Sequence, residues 1–137
     1  MKGHVIKLMP GEDILESLAR YCLKHQIEAA YVATCVGSLA SVSFRKGISR
    51  SMVSFEGPFE IVSMVGTLSK SGMHIHASVS DESFNVKGGH IVVGCPVQST
   101  AEIVIVELEE HQLSRSIDDL SGYKELKIVR VQRVCKE

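Results

Sequence analysis

Only one stretch of this chain carries apolar residues at a clear helical spacing. In "EDILESLARYCLKHQ", residues 12–26, Ile14, Leu15, Leu18, Tyr21 and Cys22 recur at intervals of three and four and share one face. Glu12, Asp13 and Glu16 gather at its start, and Arg20, Lys24 and His25 at its end, the charge order that a helix dipole favours. Nearly everywhere else the apolar residues alternate, which is the period of a strand. A chain with one helix and many strands must build its core from sheet and use the helix as cover. The expected class is α+β, a largely antiparallel β-sheet packed against one main helix.

The strand signals come in order. Residues 3–9, "GHVIKLM", end at the Pro10-Gly11 turn signal, and "AAYVATCVGSLASVSFR" runs through 29–45 with Gly37 as a bulge or bend. "SMVSFEG" and "PFEIVSMVGTLS" read as two strands, separated at Gly57-Pro58. "GMHIHASVS" (72–80) and "GGHIVVGC" (88–95) follow, then "STAEIVIVELEE", which alternates from Ala101 to Leu108. Residues 111–128 are mostly polar with a turn at Ser121-Gly122, and a last alternating piece covers 127–134. The 137 residues show no repeat or linker and suit one domain spanning 1–137.

Fifteen basic residues against sixteen acidic ones leave a formal charge of −1, without the basic excess of a phosphate-gripping surface. Three tyrosines and no tryptophan add nothing to a nucleic-acid reading. The cysteines at 22, 35, 95 and 135 are scattered and form no C-x-x-C pair, which argues against a disulfide framework or a cysteine zinc ribbon. The N-terminus lacks the apolar core of a signal peptide, and no run approaches the roughly 18 apolar residues of a membrane span. A cytoplasmic protein with reduced thiols and no membrane partner is expected.

"SGMHIHASVSDESFNVKGGHIVVG", residues 71–94, holds three of the six histidines. Residues two apart on a strand face one side, so His74, His76, Ser78 and Ser80 share a face opposite Ile75, Ala77 and Val79. A hairpin centred near Ser83 sets His76 opposite His90, with His74 on the diagonal. Three imidazoles so gathered make a catalytic-type metal site with an open position. The same H-x-H also suits the wet face of a half-buried strand, and a slip of one residue would turn His90 away. Gly88 and Gly89 mark either a bulge or room left beside an ion or ligand. Spacing alone leaves both readings open.

The combination in residues 57–107 resembles the plants-and-prokaryotes conserved (PPC) domain: "GPFEI", "GTL", "HIH", "SD", "GGH" and "TAEI" appear in the family's order. "CVGSLASVSFR" and "DDLSGYKEL" are similar to family segments as well, so the likeness spans nearly the whole chain. The plant members carry basic AT-hooks ahead of this domain. No R-G-R-P element occurs here, so the chain is similar to the stand-alone prokaryotic kind. The resemblance implies an α+β homotrimer. It also implies a fold grouped with acetolactate decarboxylase, an enzyme that holds zinc through three histidines. Carried over by position, His74, His76 and His90 would be the metal ligands, with zinc the first choice.

Other candidates carry two readings each. Glu60 would be a fourth ligand, an orienter of a ligand or a general base, or else a surface salt-bridge residue. Arg45 would take a substrate carboxylate bidentately or end a solvated strand. Glu102 suits a subunit contact or a hydrogen bond to a ligand, and Asp81 a turn. Pro58 stands where the plant motif is often basic, which puts partner contacts made through that side chain in doubt. Three functions compete: a metal-dependent site that binds or acts on a small molecule, a DNA-associated regulator using a patch such as Arg45, Lys46 and Arg50, and a purely structural trimerisation module. In the last reading, the strands at 98–108 and 127–134 supply the buried subunit faces.

Overall fold

A computed structural model describes residues 1–132. It contains β1 (Lys2–Leu8), α1 (Ile14–Lys24), β2 (Ala30–Arg45), β3 (Met52–Ser69), β4 (Gly72–Ser80), β5 (Val86–Ile91), β6 (Val97–Glu107), β7 (His111–Ile117) and β8 (Lys124–Arg130). The architecture is α+β and mostly antiparallel, as the change of period predicts. Six strands form one sheet in the order β1-β6-β2-β3-β4-β5, and β7 and β8 form a separate two-stranded hairpin. The large sheet closes on itself where Phe44 and Arg45 of β2 pair with Ile91 and His90 of β5. At that end, β2, β3, β4 and β5 make a ring.

Helix α1 covers the core with Ile14, Leu18 and Cys22, which are almost fully buried. They pack with Ile27, Leu39, Val42, Leu68, Ile103 and Ile105 from the loop and sheet beneath. Asp13 begins the helix. One carboxylate oxygen accepts from the Glu16 N–H at 3.0 Å, and the other accepts from the N–H groups of Gly94 and Cys95 at 2.8 and 2.6 Å. It therefore caps the helix and ties it to the segment leaving β5. A second polar tie joins helix to sheet through buried His4, whose ring nitrogens lie 3.0 Å from the Tyr21 hydroxyl and 3.0 Å from Glu107. A carboxylate only accepts, so Nε2 donates to Glu107.

Two expectations are corrected. The segments read as separate strands at 51–57 and 58–69 are one continuous strand, β3, which crosses a cis Gly57-Pro58 bond. The register of β2 against β3 shifts between Leu39 and Ser41, directly across from that dipeptide. Proline is accommodated at such a break because the ladder is already interrupted. The second correction concerns the tail. Residues 111–117, read as mostly polar, form β7, which pairs in full register with β8 from His111↔Arg130 to Ile117↔Lys124. Alternation there is weak because a single residue, Leu113, carries the buried face of β7. The last two residues of the alternating piece at 127–134, and Cys135, lie outside the described residues. Gly37 does fall at a break in register, between β2 and β6.

Candidate metal centre

Strand β4 alternates as its sequence predicts. Ile75, Ala77 and Val79 enter the core while His74 and His76 face out. Its hairpin with β5 pairs His76 with His90, Ala77 with Gly89 and Ser78 with Gly88, without a register shift. The three rings therefore converge, with centroids 4.9 Å apart for His74–His76 and His74–His90, and 5.5 Å for His76–His90. One donor atom from each lies within 4.8 Å of the others. The Nε2 atoms of His74 and His76 are 3.1 Å apart. Two imidazole nitrogens on one tetrahedral zinc ion stand about 3.3 Å from each other, given bonds of about 2.0–2.1 Å. The pair is thus already spaced for a shared ion.

The backbone brings β4 this close through glycine. A Cβ on Gly66 would stand 2.2 Å from the His74 carbonyl oxygen and 2.8 Å from the Ile75 Cα. On the other side, a Cβ on Gly88 would stand 2.8 Å from the Ala77 carbonyl oxygen. Gly88 thus serves strand contact; it marks neither a bulge nor room beside an ion. Gly89 would meet only Phe44, at an ordinary 3.7 Å.

The electrostatics favour neutral rings at His74 and His90. Burial pushes His90 down to about 4, assisted by the positive charge of Arg45 and by the neighbouring His74, His76 and Arg115. His74 is also lowered, first by burial, then by His76, Arg115 and Arg45, with Glu125 opposing. Neutral imidazole is the form that binds a metal. His90 Nδ1 is buried and has no hydrogen-bond partner. A ring nitrogen in that condition fits a cation better than it fits any protein donor present. The three histidines therefore suit a transition metal that accepts nitrogen ligands.

The other candidates separate clearly. Arg45 pairs with His90 across β2 and β5 and lines a cleft with His74 and His90. Its Nε is buried without a partner. Glu60 is exposed and pairs with Ser80, four residues along β4 from His76, about 13 Å at strand rise. It does not join the histidines of its own chain. Glu102 pairs with Lys7 and Val36 on the far side of β2, away from β4 and β5. Asp81 is a turn residue: its carboxylate accepts from the Ser83 and Asn85 N–H groups, both at 2.9 Å. The Asn85 bond leads in holding it below the usual carboxylate range.

The sequence reading missed Arg115 of β7. Its Nη2 donates to Thr67 Oγ1 at 3.2 Å, and Thr67 pairs with His74, so the guanidinium is moored to β3 beside the histidine strand. Lys70, Ser69 and Gly72 turn β3 into β4 just beneath it, and its Cδ lies 3.7 Å from where a Gly72 Cβ would be. No periodicity in "HQLSRSI" could have announced this, because the contact depends on where the hairpin docks.

Known proteins place this arrangement. The bifunctional protein GlmU of Synechococcus sp. (strain JA-3-3Ab) is 32% identical over 131 residues, 96% of this chain but only 21% of that protein. The chain thus spans about a fifth of the curated relatives it matches. A hypothetical protein from Salmonella enterica, solved by crystallography, superimposes with a TM-score of 0.90 at 37% identity, covering 94% of each chain. A metal-containing protein from Archaeoglobus fulgidus shares the fold at a TM-score of 0.74 and 24% identity, over 91% of this chain and 92% of that one. The model of the Plants and Prokaryotes Conserved (PCC) domain matches residues 1–109, which include β1 through β6 and all three histidines. The chain belongs to the PCC domain family.

Proposed function

We propose that this protein assembles as a homotrimer and holds a transition metal, zinc first, on His74, His76 and His90, where a small molecule binds or reacts. One observation carries the reading: three imidazole donors lie within 4.8 Å of one another, on rings that include His90, whose Nδ1 is buried without a protein partner. A structural neighbour that is itself a metal-containing protein supports it. A zinc ion so held has room for a further ligand. It would polarise a bound oxygen or lower the pKa of a bound water. The chain's own residues supply the rest: His90 is kept neutral, and Arg45 faces the cleft with its donors free. The trimer draws on family likeness and on apolar side chains left in solvent, among them Val62 and Val65 of β3 and Ile128 and Val129 of β8.

The test is zinc per chain after purification without a histidine tag. About one zinc is expected in the native protein and almost none in His74→Ala/His90→Ala. Unchanged stoichiometry in the double variant would sink the metal reading. A DNA-associated role is the second reading, favoured by Arg45, Arg50, Arg115 and Lys124 lining one cleft. It requires a gel shift that weakens steeply with salt.

A further inference from the structure

We infer that the cleft beside His74 and His90 is the receptor for a small phosphate ester, an inference that rests on the small-molecule part of the reading above and not on the metal. The cleft has a volume of about 730 Å³, within the roughly 300–1,000 Å³ range of small-molecule sites. Its walls carry Arg45, Arg50, Arg115 and Lys124 against one carboxylate, Glu125. That carboxylate accepts from the Ser121 hydroxyl at 3.0 Å. None of the four cations forms an ion pair with a described carboxylate. Fixed cations gathered in one concavity, without counter-charges of their own, raise the local concentration of anions.

Two of the four are built in rather than merely nearby. Arg45 is half-buried, and its Nε donates to no acceptor among the described residues. Arg115 is held at one end by Thr67, which leaves the other donors of its planar fork for a ligand. A phosphate ester offers two negative charges and three acceptor oxygens to such a set, whereas a monocarboxylate offers one charge and two oxygens. The apolar lining has a place for the ester's carbon skeleton, beside Ile48 and Tyr123. The Tyr123 hydroxyl donates to the Ile48 carbonyl at 2.5 Å and joins the β7–β8 turn to the β2–β3 loop. That bridge ties together two loops that both line the cleft.

The experiment is calorimetric titration of the full chain, zinc-loaded and zinc-free, with glycerol 3-phosphate; glycerol, acetate and a short DNA duplex serve as competitors. The expected result is binding of glycerol 3-phosphate in preference to acetate and glycerol. Arg115→Met should weaken it about tenfold with zinc per chain unchanged, and Arg115→Lys should recover part of the loss. Equal affinity for acetate, or unaltered binding in Arg115→Met, overturns the inference. So does displacement by duplex DNA with a steep salt dependence, which would assign the cations to nucleic acid. A protein that takes no zinc yet still binds glycerol 3-phosphate overturns the metal reading alone and leaves the phosphate site standing.

Discussion

His90 loses solvent on folding without gaining a counter-charge, and its nearest charged neighbour, Arg45, repels a proton. The unfolded chain therefore protonates this ring near its ordinary value of 6.5, while the folded chain resists until about pH 4. Between those values the unfolded state binds more protons, so stability rises with pH and is lost as pH falls. Metal-free protein is expected to show this loss in urea titrations from about pH 6.5 to 4. His90→Gln should flatten the slope; a slope that persists unaltered would assign the effect elsewhere. The buried thiols give a second expectation. Burial pushes Cys22 and Cys95 up to about 11 and Cys35 to about 12, so all three should resist thiol reagents until the protein unfolds. At this scale the sequence was legible where chemistry followed local period: two residues apart meant one face, and a short hairpin meant His76 against His90. Arg115 was not legible. Its partner, Thr67, lies 48 positions away and is met only through docking of the hairpin.

Elements in this fold are positioned by backbone proximity more than by side-chain size. Gly66 lets β3 lie against β4 where a methyl group would strike the His74 carbonyl. Gly66→Ala is expected to cost about 1–3 kcal/mol and to weaken zinc binding by shifting His74. Gly89→Ala has ordinary clearance and should stay within about 0.5 kcal/mol. A denaturation midpoint for each, paired with a zinc titration, separates the two sites. Asp13 does more than cap: it also takes the N–H groups of Gly94 and Cys95. Asp13→Ala therefore exceeds the cost of a lost cap, and about 2–3 kcal/mol is expected from the cap and the two stranded donors together. The charge order of α1 predicted a helix start but not this second attachment, since nothing local in sequence links residue 13 to residue 94. In the same way, Gly57-Pro58 reads as a strand end when the broken register of β2 across from it is unknown.

At the scale of the whole molecule, the ring of β2 to β5 holds the histidines on its outer surface, with exposed Val65 paired directly to His76. If the chain assembles as proposed, those valines belong to a subunit contact beside the metal. Sedimentation equilibrium is expected to give a trimer for the native protein. Val62→Asp/Val65→Asp should yield a folded monomer, because charge on a buried contact face disfavours association. A native monomer in dilute solution would remove the trimer altogether. No helix among the described residues is long and apolar enough to cross a membrane. The α+β class was readable because a single helical period stood among alternating ones. Closure of the sheet was not, since it depends on two residue pairs at one corner.

The β7–β8 hairpin lies beyond the residues that the family model matches, yet it brings Arg115, Tyr123 and Lys124 to a cleft shared with His74 and His90, which lie within them. The cleft therefore has two sources of lining, Arg45 and Arg50 from the matched residues and Arg115 and Lys124 from the hairpin, and the Tyr123 hydroxyl, the Arg115 guanidinium and the Leu113 N–H bond the hairpin to the rest of the chain. If the cleft takes its ligand as proposed, exchanging residues 111–130 between relatives would change half of its cations and leave the three histidines in place, which makes the hairpin a graftable cassette for ligand choice.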